Sequence, residues 1–180
     1  KHSLGIGSIS AFGISSDESV VYAGEKSPAG FLYAIQVSDG DVEWKYPASE
    51  LVGSDAGTQS YPSTAHICTD SRGRVFASFY RLSMDSRGSR VYAGRAVAFS
   101  SSGELLWKYP AEAPMDAWVN WCDVNDAAGR FVLSTSNYEV TPERKYDKTL
   151  YLLDADTGRL ISDTLVPPEA MFETTVFRGS

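Results

Sequence analysis

At 180 residues with a net charge of −7 and a sequence pI of about 4.8, the chain is long enough for one domain with a real core. It lacks the basic stripe that a nucleic-acid interface or an anionic membrane surface would ask for, since Arg144-Lys145 is diluted by Glu143 and Asp147. No run of roughly 18 apolar residues occurs, which argues against membrane insertion by a helix.

Aromatics (4 Trp, 10 Tyr, 8 Phe) and turn formers (15 Gly, 8 Pro) are plentiful, and no long segment has helical period. That mixture predicts an all-β domain of many short strands. The opening Lys1-His2-Ser3, without an initiator Met, reads as a processed chain or a piece of a longer protein. Cys68 and Cys122 lack CxxC spacing and read as two isolated buried thiols. A disulfide between them would need their Cα atoms within about 7 Å, which is not expected across neighbouring units.

The first unit predicts strands near 9–14, 20–24, 31–37 and 42–46, separated by Ser-Asp, Ser-Pro-Ala-Gly and Ser-Asp-Gly-Asp turns. Gly and Asp tolerate positive φ, so these are hairpin connections. The second unit predicts strands near 64–69, 75–80, 95–100 and 105–109. The third predicts 119–124, 131–136, 149–154 and 160–165. After Pro167-Pro168, residues 173–177 resemble the first strand of a fourth unit.

Two landmarks recur in step. Trp-Lys-Tyr-Pro occurs at Trp44 and again at Trp107, each Trp four residues after a turn glycine, Gly40 or Gly103. A third turn glycine, Gly158, has Ser162 at the tryptophan position. Independently, Asp70-Ser71-Arg72-Gly73-Arg74 matches Asp126-Ala127-Ala128-Gly129-Arg130, each preceding a β-rich run. Four antiparallel strands in each repeat of this length are the sequence form of a β-propeller blade.

The segments LYAIQVSDGDVEW, RAVAFSSSGELLW and TLYLLDADTGRLIS resemble the pyrroloquinoline-quinone-type (PQQ-like) propeller repeat, whose hallmark is an AxDxxTGxxxW-like stretch. The hallmark Ala stands only at Ala34 and the hallmark Asp only at Asp154, and the Trp at Trp44 and Trp107. The resemblance implies that Trp44 and Trp107, with Gly40, Gly103 and Gly158, form inter-blade contacts, and that the contact after Ser162 is built differently. It also implies an extracytoplasmic location, periplasmic or secreted.

The expected organisation is therefore one incomplete propeller of four-stranded blades, at 8–47, 62–110 and 117–166, with the start of a fourth at 170–180. Propellers close with roughly 4–8 blades, so the end blades should expose apolar faces. Either a longer chain or another chain supplies the remaining blades.

No GxSxG, HExxH or Walker A motif occurs. Asp154, Asp156 and Thr157 depart from an EF-hand loop in glycine position and in the missing final Glu, and read as a turn. His66 and Cys122 each stand seven residues before a turn glycine, which places them on first strands of adjacent blades near the central channel. A metal or redox site and a packed polar pair are both compatible with that, and no metal is assigned.

Residues Asp116, Trp118, Asn120 and Trp121 enter the loop face, where Trp beside Asp and Asn suits a sugar, a peptide or a protein partner. The alternative is that both tryptophans pack between blades. The long connections at 48–63, 81–94 and 137–148 emerge on this same face. The function expected is a non-catalytic binding or scaffold module for a protein partner or small ligand, with no cofactor. The alternatives are a segment of a PQQ-dependent oxidoreductase, with quinone and calcium, or a ligand-binding sensor ectodomain.

Overall fold

A computed structural model describes residues 8–53, 61–137 and 147–166. The segment expected to begin a fourth blade, 170–180, lies outside them. Twelve strands form three separate four-stranded antiparallel sheets, one for each repeat unit, or blade. Blade one is β1 (Ser8–Ile14), β2 (Val20–Lys26), β3 (Phe31–Gln36) and β4 (Val42–Pro47). Blade two is β5 (Ser63–Thr69), β6 (Val75–Met84), β7 (Arg90–Phe99) and β8 (Leu105–Tyr109). Blade three is β9 (Trp118–Asn125), β10 (Arg130–Asn137), β11 (Asp147–Asp154) and β12 (Leu160–Leu165).

The turns behave as their residues dictate. Asp85, Asp154 and Asp70 each fold a side-chain oxygen back onto amides of their own turn, as at Asp154 Oδ1, which accepts from Asp156 N and Thr157 N at 3.1 and 3.0 Å. The Asp154 segment is thus a self-capped hairpin turn.

Two apolar seams hold the blades together. Between blades one and two lie Val20, Tyr22, Leu32, Phe79, Val97 and Phe99. Between blades two and three lie Phe76, Trp107, Val119, Phe131, Leu133 and Leu153. Each seam carries the same tryptophan contact. The Trp44 ring lies against Gly103, where an added Cβ would come within 2.7 Å of it, and its indole N–H donates to Ser101 O at 2.9 Å. Trp107 lies against Gly158 in the same way, at 2.6 Å, and donates to Ala155 O at 3.0 Å. Glycine is required at both places, for the positive φ (83° and 67°) and for the closeness of the ring.

Blades two and three are also clasped on the turn face. Arg74 donates from Nε to Asp70 Oδ2 at 2.7 Å and from Nη1 to Ala155 O and Asp156 Oδ1 at 2.9 and 2.8 Å. Arg72 reaches the same Asp156 oxygen at 2.6 Å.

Two connections differ from their sequence reading. Residues 81–94 are mostly strand: β6 and β7 continue pairing through Met84↔Arg90 and close on a turn at Asp85. The cross-strand pair of Leu82 and Tyr92 helps sustain the ladder where polar residues suggested a loop. The start of the 48–63 connection is one helical turn, Ser49–Val52, whose buried Leu51 and Val52 plug the first seam. Among the described residues, the outer faces of the end blades carry apolar side chains, with Phe12 80% exposed on blade one and Val132, Leu150 and Leu152 half-buried along a groove on blade three.

Candidate functional site: the inner seam and the loop face

The inner strands β5 and β9 bring His66, Cys68 and Cys122 together. On β5, His66 lies opposite Ser78 and Thr69 opposite Val75, while on β9 Cys122 lies opposite Leu133 and Asn125 opposite Arg130. The β9–β10 turn is therefore one residue tighter than the β5–β6 turn. Counting back from the turn glycine makes His66 and Cys122 equivalent, but the ladder offsets them by one position. Since side chains alternate faces, that offset turns Cys122 back toward blade two. Its true counterpart, Ile67, likewise points back to blade one and packs on Gly13. Cys122 thus sits fully buried, with Sγ 3.9 Å from His66 Nδ1.

The two cysteines are free, as expected, but they are not isolated, because Cys122 Sγ meets His66 across the seam at 3.9 Å and the Cys68 and Cys122 thiols act on each other electrostatically. The same reversal of Cys122 explains it. Burial pushes the Cys122 thiol up, yet the hydrogen bonds from Cys68 and His66 and the imidazolium charge overcome it and hold Cys122 below the usual thiol value. The hydrogen bond to Cys122, and burial, push Cys68 well above that value. The bond to Cys122 raises His66 against the effect of its own burial. Cys122 is thus drawn toward its thiolate form and His66 toward its imidazolium form, while Cys68 is held toward its thiol form. The thiolate absorbance of Cys122 should then appear, on raising the pH, well below the ordinary thiol value of 9.0, and His66→Ala should move its midpoint upward. Ultraviolet titration of the Cys68→Ser chain, with and without His66→Ala, measures this. An unmoved midpoint contradicts it.

On the loop face, the residues singled out by sequence are held by different partners. Gly94 and Met115 form a two-bond bridge, 2.8 and 3.0 Å, that bolts the segment before β9 onto β7. A Cβ at Gly94 would strike Ala117 O at 2.3 Å, so only glycine lets the segment pass. Asp116 Oδ1 accepts from Tyr92 N at 3.0 Å. Trp118 packs edge-on against Tyr80, with centroids 5.8 Å apart. Asn120 Nδ2 donates to Ser136 Oγ within its own blade at 2.9 Å. Trp121 faces the open side of blade three beside His66, with centroids 6.1 Å apart. It lines a groove of about 750 Å³ with Asp123, Leu152 and Ser162. Asp116 and Trp118 share the seam between blades two and three, whereas Trp121 belongs to the free face, so the four residues do not converge on one ligand position.

On the opposite, turn face, a polar groove of about 740 Å³ runs between blades one and two, lined by Ser15, Asp17, Trp44, Ser71, Arg72 and Ser101. Hydrogen bonds from Ser15 and Ser19 hold the Asp17 carboxyl down at about 2.

No protein-family model matches the sequence, and no curated protein matches it. Among solved structures, the chain is similar to the quinohemoprotein alcohol dehydrogenase of Comamonas testosteroni, with a TM-score of 0.54 and 15% identity, over 82% of this chain and 26% of that one. It is similar to a europium-containing methanol dehydrogenase with a TM-score of 0.54 and 14% identity, over 84% of this chain and 31% of that one. A eukaryotic initiation factor follows at a TM-score of 0.52 and 8% identity, over 89% of this chain and 32% of that one. The fold is that of a β-propeller. At such identities the likeness carries the fold alone, and the chain spans about a quarter to a third of each of these proteins.

The quinone and calcium of a PQQ-dependent enzyme can be tested against the donor set of the propeller segment. Its cysteines are two free thiols on different blades. Among the described residues, no three His, Cys, Asp or Glu side chains gather as metal ligands. These residues do not by themselves fit that cofactor pair.

Among the described residues, sequence reading did not expect Cys68 to meet Cys122, and it passed over the Arg72–Arg74–Asp156 clasp. The first was hidden by the one-residue offset. The second left a signal, the basic pair within the Asp70 turn, but not its partner in the next blade.

Proposed function

We propose that this propeller segment is a non-catalytic, extracytoplasmic binding or scaffold module that presents its loop face to a protein partner. The observation that carries the reading is the β6–β7 hairpin. Pairing of β5 with β6 ends at Ser63↔Tyr80, and pairing of β7 with β8 begins at Ala96↔Tyr109. The rungs from Arg81↔Ala93 to Met84↔Arg90 therefore stand beyond the blade with no third strand beside them among the described residues. The tip is stiffly capped, since Asp85 Oδ1 accepts from Arg87 N and Ser89 N at 2.8 and 2.9 Å. Met84 is 57% exposed near the tip, and Val91, 37% exposed, lies on the other face of the ribbon. A preorganised ribbon with apolar side chains near its tip suits an extended segment of a partner packing there, although the β7 edge is already held at Tyr92 N by Asp116.

Photocrosslinking from a benzophenone residue at position 84 in the full chain tests this. One partner protein should be captured there and none from the turn face at position 102, and Val91→Asp should abolish capture without loss of stability, because the site is exposed.

The second reading, a segment of a quinone-dependent oxidoreductase, draws on the likeness to the two dehydrogenases. Alcohol-dependent dye reduction after incubation with quinone and calcium would favour it and overturn the scaffold reading.

A further inference from the structure

The two seams repeat one another on the turn face but differ in charge. Phe76 stands opposite Ala98 and Ala98 opposite Trp107, as Tyr22 stands opposite Ala34 and Ala34 opposite Trp44. Both ring pairs, Phe76–Trp107 and Tyr22–Trp44, have centroids 5.9 Å apart. Two residues before Phe76 comes Arg74, with its guanidinium 5.0 Å from the Phe76 centroid and ion-paired to Asp70 and Asp156. Two residues before Tyr22 comes Val20, which is shorter by a whole guanidinium and carries no charge. The second seam thus meets its carboxylates with a cation of its own chain, and the first does not.

The first seam nevertheless presents carboxylates there. Trp44 lies opposite Ala34 but Val42 opposite Ile35, so Glu43 is the extra residue of a β-bulge, a device that re-aims a side chain. The same bulge in blades two and three presents Leu106 and Ile161. Asp17 comes from the β1–β2 turn, where its Oδ1 accepts from Ser15 Oγ, Ser19 N and Ser19 Oγ at 2.7, 3.1 and 2.8 Å, which leaves Oδ2 for another donor. Gln36 Nε2 donates to Glu43 Oε1. Both acids line the groove of about 740 Å³ with Tyr22 and Trp44. Neither is ion-paired among the described residues, and Arg72, the cation on the far wall, is taken up by Asp156 at 2.6 Å and Asp70 at 3.5 Å. Tyr22 is only 2% exposed, and its hydroxyl bonds to none of the described residues although the side chain lines this groove. Burial, and then the charges of Glu43 and Asp17, push that hydroxyl above the ordinary tyrosine value, so it stays neutral between two acids.

We propose that the turn-face groove between blades one and two binds a small ligand carrying a guanidinium on a short alkyl chain, which takes in the first seam the part that the Arg74 side chain takes in the second. Its N–H groups donate to Asp17 and Glu43, and the Tyr22 hydroxyl accepts from it. A guanidinium suits the site better than an ammonium because its planar fork can serve carboxylates on two sides at once, as Arg74 serves Asp70 and Asp156. The volume is that of a small-ligand cleft. Both walls belong to blades one and two, so the site needs neither the loop-face partner nor further blades.

The test is a titration of the 15N-labelled chain with n-propylguanidinium chloride at low salt. The Ser19 amide, which donates to Asp17, and the Trp44 indole should shift and saturate, with a midpoint on the order of 1 mM. Propylurea, neutral and of the same shape, should shift neither signal. Glu43→Gln changes an exposed side chain and should raise the midpoint on the order of 10-fold, the effect of one charge-assisted bond. Val20→Arg, which gives the first seam a cation of its own, should abolish the shifts and raise the thermal midpoint. Should Val20→Arg fail to fold, Glu43→Gln decides alone. A response that does not saturate by roughly 20 mM, an equal response to propylurea, or a midpoint unmoved by Glu43→Gln overturns the proposal. Saturation by calcium chloride at a lower concentration than by propylguanidinium overturns it as well, since the acids would then serve a metal ion.

Discussion

Trp107→Ala should cost about 3–5 kcal/mol and lower the thermal midpoint by on the order of 10 °C. The side chain is 8% exposed and joins three elements at once. Its ring meets Phe131 edge-on at 5.5 Å and Phe76 at 5.9 Å, and those two rings stack at 5.4 Å. Truncation removes the central ring of this cluster, leaves the Ala155 carbonyl without its indole donor, and opens a void over Gly158 that a turn without a side chain cannot fill. The control is Trp44→Ala, in the equivalent contact of the first seam. Trp44 is only half-buried, its ring 5.7 Å from Phe99 and 5.9 Å from Tyr22, so about 2 kcal/mol is expected. Urea unfolding of both variants measures the order. Equal losses would mean that the seams, despite the shared motif, do not differ in packing as the structure has them.

Asp70→Ala should be nearly as costly, about 3–5 kcal/mol, for an electrostatic reason. The Asp70 side chain is 0% exposed, and that of its partner Arg74 only 11%. Oδ1 accepts from Arg72 N and Arg74 N at 3.1 and 2.9 Å, and Oδ2 from Arg74 Nε at 2.7 Å. Removing the carboxylate opens the turn and strands a guanidinium that also spans to blade three. Asp70→Asn retains an acceptor for the turn amides and should lose roughly half as much. Because the pair is shielded from water, 1 M salt, with a Debye length of about 3 Å, should change the difference between wild type and Asp70→Ala very little. A difference that vanishes in salt would show that the pair acts as a surface bridge. By contrast, Asp156→Ala removes an exposed end of the clasp and should lie within about 1 kcal/mol of the natural chain.

Much of the architecture can be read from the chain itself. Hairpin turns demand Gly and Asp, and the Trp-to-glycine spacing repeats because each blade must present the same ring to the same turn. Four strands per unit and their turn positions follow from local rules, whereas the inter-blade contacts of Trp44 and Trp107 are implied by the resemblance to the PQQ-like repeat. The reading weakened where pairing partners decide. Residues 81–94 carry Arg, Ser, Asp and Gly that speak for a loop, yet the two strands sustain each other as a projecting ribbon. Asp116, Trp118, Asn120 and Trp121 stand close in sequence, but β9 deals them to a seam, to their own sheet and to an open face. Sequence proximity along a strand says little about convergence, since successive side chains diverge.

Cys122 marks the division most clearly. The repeat by itself determined that His66 and Cys122 lie on inner strands of adjacent blades, because turn glycines and β-rich runs set those positions locally. Only the tertiary structure decided that Cys122 points back at His66 and Cys68. That depends on a turn one residue tighter than its counterpart, and in a strand of period two a single residue exchanges the faces.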